Sequence, residues 1–414
     1  MIRNCKILAA ALLLAASGSA EAARHYVGGD ISLLPEYEEA HAKYYDENGK
    51  PISDVLEFLH EEGMNAMRVR LFVNPSDFPG NDPNACQDLE YIIPLCQRIK
   101  SNGFDLMLDF HYSDTWADPV KQWTPKAWQG LSNVELYQKI YDYTKETLET
   151  LKENGVTPDF IQTGNEISYG MLWGASTDSS SSLKKVYTGS DTNWIYFTTL
   201  LRKAIQACDE ICPDAKIVLH NERVAKPEML TFFYNQMDKY KIEYDIIGLS
   251  YYPYFHGKMS VLDTALTVLE ENFPVKEIMV VETGYSYAWE VQGTDQKVDY
   301  PYSNNGQNQF ATELVETLEA HKNCTGLFWW WLEYNAYGTK LENWYNAPLF
   351  DSRNGRATKA LKTICSFNND DSGVSGIYSD DMEVNRWFDL LGRPIATPNL
   401  PGMYIHNRKV VLIP

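Results

Sequence analysis

Two short stretches each bring a carboxylic acid to the end of an apolar, strand-like run. In one, Asp159-Phe160-Ile161 leads into Gly164-Asn165-Glu166; in the other, Ile278-Met279-Val280-Val281 leads straight to Glu282. Two carboxyl groups held about 5–5.5 Å apart, one protonated and one ionised, are what retaining glycoside hydrolysis needs: a proton donor for the leaving oxygen and a nucleophile for the anomeric carbon. Their surroundings must drive the two proton affinities apart. Further polar groups end other apolar runs. Arg68 and Arg70 are two apart and share a strand face, as do Asp109 and His111. His220, Ser250-Tyr251-Tyr252 and Trp329-Trp330-Trp331 close three more. Asn165 suits a sugar 2-hydroxyl, and an arginine with a tyrosine would keep Glu282 ionised and oriented. Blander readings exist for each: a solvated glutamate after a turn, an Arg–Asp109 ion pair inside the fold, histidines satisfied by backbone. The three tryptophans should alternate, so at most two rings face one side. A metal site from His111, His220 and the carboxylates lacks the short-range spacing of a zincin helix. No metal and no cofactor is expected.

Eight strand candidates position these groups: HYVGGDISLL, NAMRVRLFV, FDLMLDFHY, DFIQTGNE, KIVLH, YDIIGLSYY, EIMVVETGY and GLFWWWLE. Longer amphipathic stretches lie between them, several ending at glycine just before the next strand, as helix C-termini do. Parallel neighbours need a crossover element, so regular alternation implies a parallel sheet. Eight units in about 340 residues fit a (β/α)₈ TIM barrel, an α/β fold whose active site lies at the C-terminal strand ends. No Gly-x-Gly-x-x-Gly turn follows the first strand, which argues against a dinucleotide-binding sheet.

The chain begins with a basic start at Arg3 and Lys6, the apolar run ILAAALLLAA and a small-residue region containing Ala20-x-Ala22, the pattern of a secretory leader over 1–22. The run is too short to span a bilayer, and Cys5 precedes it, so no lipid anchor is expected. Export to the periplasm, the cell surface or the medium follows. The barrel is expected over 23–367, a polar linker over 368–381 and a small β-rich tail over 382–414. A formal net charge of −20 argues against nucleic acid and anionic membranes and permits a neutral substrate. The aromatic fraction is high at 13%; much of it must be core, but an excess of Trp and Tyr also suits flat faces that stack on sugar rings or other ligands. Cys86, Cys96, Cys208, Cys212, Cys324 and Cys365 could pair in an oxidising compartment, but six cysteines allow 15 connectivities and none is assigned. A monomer is expected.

With Asn165-Glu166 and Glu282-Thr283-Gly284-Tyr285 the chain resembles clan A glycoside hydrolases. LDFHYSDTWADP (108–119), YYDENGKPISDVLEFLHEEGMNAMRVRLFVNP (44–75) and SYYPYFHG (250–257) resemble family 53 endo-β-1,4-galactanases more specifically. The resemblance runs from about Gly28 to Gly355. It implies a retaining endo-hydrolase of β-1,4-galactan, the neutral side chain of pectin, with Glu166 as acid/base and Glu282 as nucleophile. Arg68, His111, Asn165, Tyr252 and Trp330 would surround the cleaved unit, His220 would join the substrate-binding set, and Trp116 and Asp118 would bind sugar further along. Two departures stand out. Where bacterial relatives often carry an acidic calcium loop, this chain has SYAWEVQGTDQKVDYPYSNNGQ (286–307), so no calcium is expected there. Where a Trp-Glu-Pro motif is usual, it has WWWLEYN (329–335). The acid, base and Asn do not encode the sugar, so a mannanase, a glucanase or a barrel that only binds glycan are the alternatives.

Overall fold

The computed structural model describes residues 23–78, 80, 82–178, 184–187, 191–291, 297–335, 337 and 348–368, with the backbone of four short strands between 387 and 413. The leader and nearly all of the expected linker lie outside the described residues. Strands β1 (Tyr26–Asp30), β2 (Ala66–Leu71), β3 (Asp105–Phe110), β4 (Phe160–Thr163), β5 (Lys216–Asn221), β6 (Ile246–Tyr251), β7 (Glu277–Thr283) and β8 (Cys324–Trp329) form a closed parallel barrel in sequence order. Each expected strand run is present. Closure brings β1 within reach of β2 and β8, and Gly28 is needed there: a Cβ would meet the Ala66 carbonyl at 1.6 Å.

The crossover helices include α1 (Leu34–Glu39), α2 (Val55–Glu61), α3 (Leu89–Ser101), α4 (Asn133–Glu153), α5 (Asp191–Ile211), α6 (Pro227–Lys239), α7 (Pro253–His256), α8 (Met259–Asn272), α9 (Asn304–Glu319) and α10 (Lys359–Cys365). Local chemistry starts them where the amphipathic pattern begins. Asp54 caps α2 and Asp88 caps α3, while Ser132 and Glu135 form a reciprocal capping box on α4. Their apolar faces and the outward residues of the strands form one large buried cluster.

The barrel interior is layered. Ala66, Met107, Phe160, Val218, Ile246, Met279, Val281 and Phe328 fill the lower part with apolar side chains. One pleat period further along, the same inward face carries Arg68 above Ala66, Asp109 above Met107, Gln162 above Phe160 and His220 above Val218. The fold therefore sits on an apolar plug and lifts a polar layer to the C-terminal mouth. Strand β7 departs from strict alternation. Leu249 pairs with Val280 and Ser250 with Glu282, leaving Val281 as an extra residue. Met279 and Val281 both join the interior plug, so alternation alone would turn Glu282 outward. The bulge re-aims it into the mouth.

The C-terminal tail is a separate unit from Asp371 onward. It forms an antiparallel four-stranded sheet from Trp387–Phe388, Pro394–Ile395, Gly402–His406 and Lys409–Ile413, with the last two as a hairpin. Cys86, Cys96, Cys208, Cys212, Cys324 and Cys365, the cysteines among the described residues, are free thiols. Among the described residues no helix is long and apolar enough to cross a membrane.

Candidate active site

The turn after β4 shows why Gly164-Asn165-Glu166 takes that form. Gly164 has φ +108°, and a Cβ there would strike Ile167 at 2.6 Å. Glu166 itself is left-handed, with φ 47° and ψ 56°. Left-handed non-glycine residues also follow β3 (Tyr112) and β8 (Trp331). Such backbone costs about 1–3 kcal/mol per residue and gathers where side chains must be aimed against local preference. The loops at this end of the barrel are therefore bent to point side chains inward.

Beneath the mouth lies a buried charge network centred on Arg68. Its guanidinium meets Asp109 at 2.7 Å, Asp30 at 3.3 Å and Glu282 at 2.9 Å, and donates to Asn165 Oδ1 at 2.9 Å. Arg70 pairs with Asp30 at 2.8 Å, and its guanidinium lies under the rings of Trp116, Trp330 and Trp331 at 4.8, 5.0 and 5.4 Å. His111 accepts the Ala117 N–H at Nδ1 (3.1 Å), which leaves Nε2–H facing Asp109 at 3.0 Å. Burial pushes Asp109 up, but Arg68 and His111 more than offset this and hold it below the usual carboxylate range.

Glu282 and Glu166 face each other across the mouth. An oxygen of each lies within 4.8 Å of the other, and of a nitrogen of His220. Glu282 also accepts the Tyr252 hydroxyl at 3.2 Å. Burial raises its proton affinity to about 7, with Arg68 pulling the other way. Glu166 accepts from Ser250 Oγ at 2.7 Å. Burial, then the charges of Glu282 and Glu222, raise its proton affinity well beyond the carboxylate range. Glu166 has no arginine beside it and Glu282 does. The proton belongs on Glu166.

His220 is fully buried behind Glu166 and does not reach the cleft. Burial and then Arg68 keep it neutral. Its Nε2 meets Ser250 Oγ at 2.8 Å, so Nε2–H supports the hydroxyl that donates to Glu166. Its Nδ1 receives the Glu166 N–H at 3.3 Å and the Gln162 amide at 3.2 Å. With both ring nitrogens engaged and Arg68 against Glu282, the Glu166–His220–Glu282 set does not fit a metal ion. In the 286–307 loop, residues 292–296 lie outside the described residues. Asp299 there pairs with Lys258 at 3.1 Å, and Glu290 is exposed.

Above this floor opens a cleft of about 650 Å³. Glu166, Glu282, Trp116, Asp118, Tyr252 and Trp330 all line it. Arg68, His111, Asn165 and His220 lie beneath, ordering the groups above. Asn165 is almost fully used within the protein: Oδ1 accepts from Arg68 and Nδ2 donates to the Ala117 carbonyl at 2.8 Å. Trp116 donates to Asp82 at 2.9 Å. Asp118 accepts the Val120 and Lys121 N–H groups at 2.9 and 3.0 Å. The tryptophan run does not alternate as a straight strand would. Trp329 packs outward on Phe310, whereas Trp330 and the left-handed Trp331 both line the cleft.

The pattern of Glycosyl hydrolase family 53 matches residues 26–364. The chain belongs to this family. It is 32% identical to the arabinogalactan endo-beta-1,4-galactanase of Cellvibrio japonicus, across 88% of this chain and 97% of that one. It is 30% identical to the endo-beta-1,4-galactanase of Bacillus subtilis, across 89% and 83%. Among solved structures, the family 53 catalytic domain of Ignisphaera aggregans superposes with a TM-score of 0.72 at 32% identity, covering 82% of this chain and 95% of that one.

Several site residues escaped the sequence reading. Asp30 ends β1 and anchors both arginines, and Glu222 lies two past His220 along the same face; the two-residue period could have found both. Glu333 is fully buried behind the mouth, accepts the Leu33 N–H at 2.8 Å, and is raised to about 8 by burial and Asp30. No local pattern marks it.

Proposed function

We propose that this chain is a retaining endo-hydrolase of β-1,4-galactan, with Glu166 as acid/base and Glu282 as nucleophile. The observation that carries the reading is the close, facing carboxyl pair with unequal proton affinity. A retaining pair is short; an inverting pair needs about 6.5–9.5 Å to admit a water. Glu282 attacks the anomeric carbon, oriented by Arg68 and Tyr252. Glu166 protonates the departing glycosidic oxygen. Ser250, supported by His220, then stabilises ionised Glu166 as it takes a proton from the water that releases the covalent intermediate. The galactanase relatives support galactan as the polymer, and the tryptophan wall over Arg70 gives its sugars stacking surfaces. The acidic chain suits a neutral polysaccharide. The 1–22 leader supports export, checked by a secreted product that begins at Ala23, and size-exclusion chromatography checks the expected monomer.

Azide, a nucleophile that needs no general base, tests the roles. It should rescue Glu166→Ala on substrates with a good leaving group and give a product of retained configuration. Rescue of Glu282→Ala should give inversion. The opposite stereochemistry would reverse the assignment. Incubation with galactan, mannan and β-glucan tests the substrate; turnover confined to mannan or glucan would sink the galactan reading.

A further inference from the structure

Glu222 is a further carboxylate of the cleft, and the mechanism above gives it no task. It is 8% exposed and lines the cleft beside Glu166, whose proton affinity its charge raises. The side chain is held firmly. Oε1 accepts the Ser168 hydroxyl at 2.6 Å and meets Arg223 Nε at 2.8 Å. Arg223 is itself fixed over the Tyr169 ring at 4.3 Å and by its N–H to Asn221 Oδ1 at 2.9 Å. Oε2, however, is buried and accepts nothing from the protein. A buried acceptor without a donor costs about 1–3 kcal/mol, so its retention on a cleft wall calls for a donor from outside. On the same wall Phe255 leaves 54% of its surface exposed, with Tyr252 and His256 as its ring neighbours. A fixed acceptor beside an exposed aromatic face is the chemistry of a sugar subsite.

Position decides which sugar. The tryptophan wall gathers over Arg70, and Trp330 also lies over Arg68, the partner of Glu282. That side holds the unit attacked by the nucleophile. Glu222 lies beside the opposite carboxyl, Glu166, from which the leaving unit departs, and Phe255 is joined to it along the cleft wall through His256, which meets both the Phe255 ring and the Glu222 backbone.

We propose that Glu222 and Phe255 form the subsite for the leaving galactosyl unit, with Oε2 accepting a hydroxyl that flanks O4 and Phe255 stacking on the ring. This rests on the retaining-hydrolase reading and adds a residue-level basis for endo-action: cleavage requires a sugar on the departing side. The subsite also receives the acceptor sugar when the intermediate is transferred to another chain rather than to water.

The test compares two substrates on wild type, Glu222→Gln and Phe255→Ala: β-1,4-galactan, and 2,4-dinitrophenyl β-galactobioside, whose leaving group has no sugar hydroxyl. The readout is the ratio of kcat/KM on galactan to that on the aryl substrate. The ratio should fall on the order of tenfold or more in Glu222→Gln and several-fold in Phe255→Ala, whose exposed position spares the fold. Transfer to added galactobiose should fall with it. A ratio equal to wild type in both variants overturns the proposal. So does a fall confined to Glu222→Gln with transfer to galactobiose unchanged, because a change acting only through the charge on Glu166 slows galactan, which needs its proton, and spares the aryl substrate, which does not. If wild type cleaves a different polymer, the galactan reading fails, and the same ratio measured on that polymer still decides the subsite.

Discussion

Both ends of the barrel are crowded with charge, but they hold it differently. At the N-terminal end, around a depression of about 670 Å³, Lys100 pairs with Asp159 at 2.6 Å, Lys216 with Glu277 at 2.5 Å and Arg24 with Asp105 at 2.7 Å. Each of these three cations has its own anion, and every side chain in the three pairs is a fifth or more exposed. At the C-terminal end two fully buried arginines serve Asp30, Asp109, Glu282 and Glu333, and Glu166 has none beside it. The first arrangement is matched and solvated, so it closes the base of the fold at little cost. The second is short of positive charge and, apart from the cleft-lining carboxyls, withdrawn from solvent. The deficit forces protons onto carboxyl groups, and an acid catalyst needs that condition. Stability and chemistry occupy opposite ends of the same strands.

The sharpest way to separate the ends is to remove the nucleophile. Glu282→Gln should reduce turnover by on the order of 10⁴-fold or more, with a melting temperature equal to or above wild type, because a buried acid is relieved of its charge while Arg68 keeps Asp109 and Asp30. Scanning calorimetry beside steady-state kinetics checks both halves. A large loss of stability would mean that Glu282 is part of the scaffold.

Arg68→Met should be the most destabilising of these changes. It leaves Asp109 and Glu282 without their cation and Asp30 with Arg70 alone, and breaking such a network costs about 3–5 kcal/mol. Urea unfolding measures this. A cost below 1 kcal/mol would mean that the mouth behaves like the base.

Glu333 gives a pH signature. Its folded proton affinity, about 8, lies above the ordinary carboxylate value, so between about pH 4.5 and 8 the native state binds more protons than the unfolded chain. Stability must then fall as pH rises through that window, by up to about 1.4 kcal/mol per pH unit for one group. Glu333→Gln should remove that part of the slope, so its stability gain over wild type grows from pH 5 to pH 8. A gain independent of pH would contradict the assignment.

The smallest effect belongs to the base. Lys216→Met should change stability by no more than about 1 kcal/mol, and less in 1 M salt than at low ionic strength.

Much of this division was legible before any coordinates. Alternating strand and helix signals announced the barrel, and the two-residue period placed Arg68, Arg70, Asp109 and His111 on the inward face. Three features were not legible, each for a physical reason. The bulge at Val281 depends on how β6 and β7 pair, which β7 alone does not encode. The left-handed turn at Trp331 broke the alternation expected of the tryptophans. The division between groups that line the cleft and groups that lie beneath it depends on depth, so His220 and Asn165 read the same as Tyr252 until the strands were placed in three dimensions.

The indole cluster at the mouth has an optical consequence. Trp116 and Trp330 lie 6.0 Å apart at 66°, and Trp330 and Trp331 6.5 Å apart at 79°. Chromophores this close and this steeply crossed couple their excited states, most strongly through the intense far-ultraviolet transition of indole, and so give a paired circular-dichroism band there. Trp330 and Trp331 are under a tenth exposed and lie over one guanidinium, so they emit from a setting that a bound sugar alters by displacing water from the cleft. The unlabelled protein therefore reports the filling of its own cleft as a change in that band and in emission wavelength. Binding to an inactive variant can be followed by light alone.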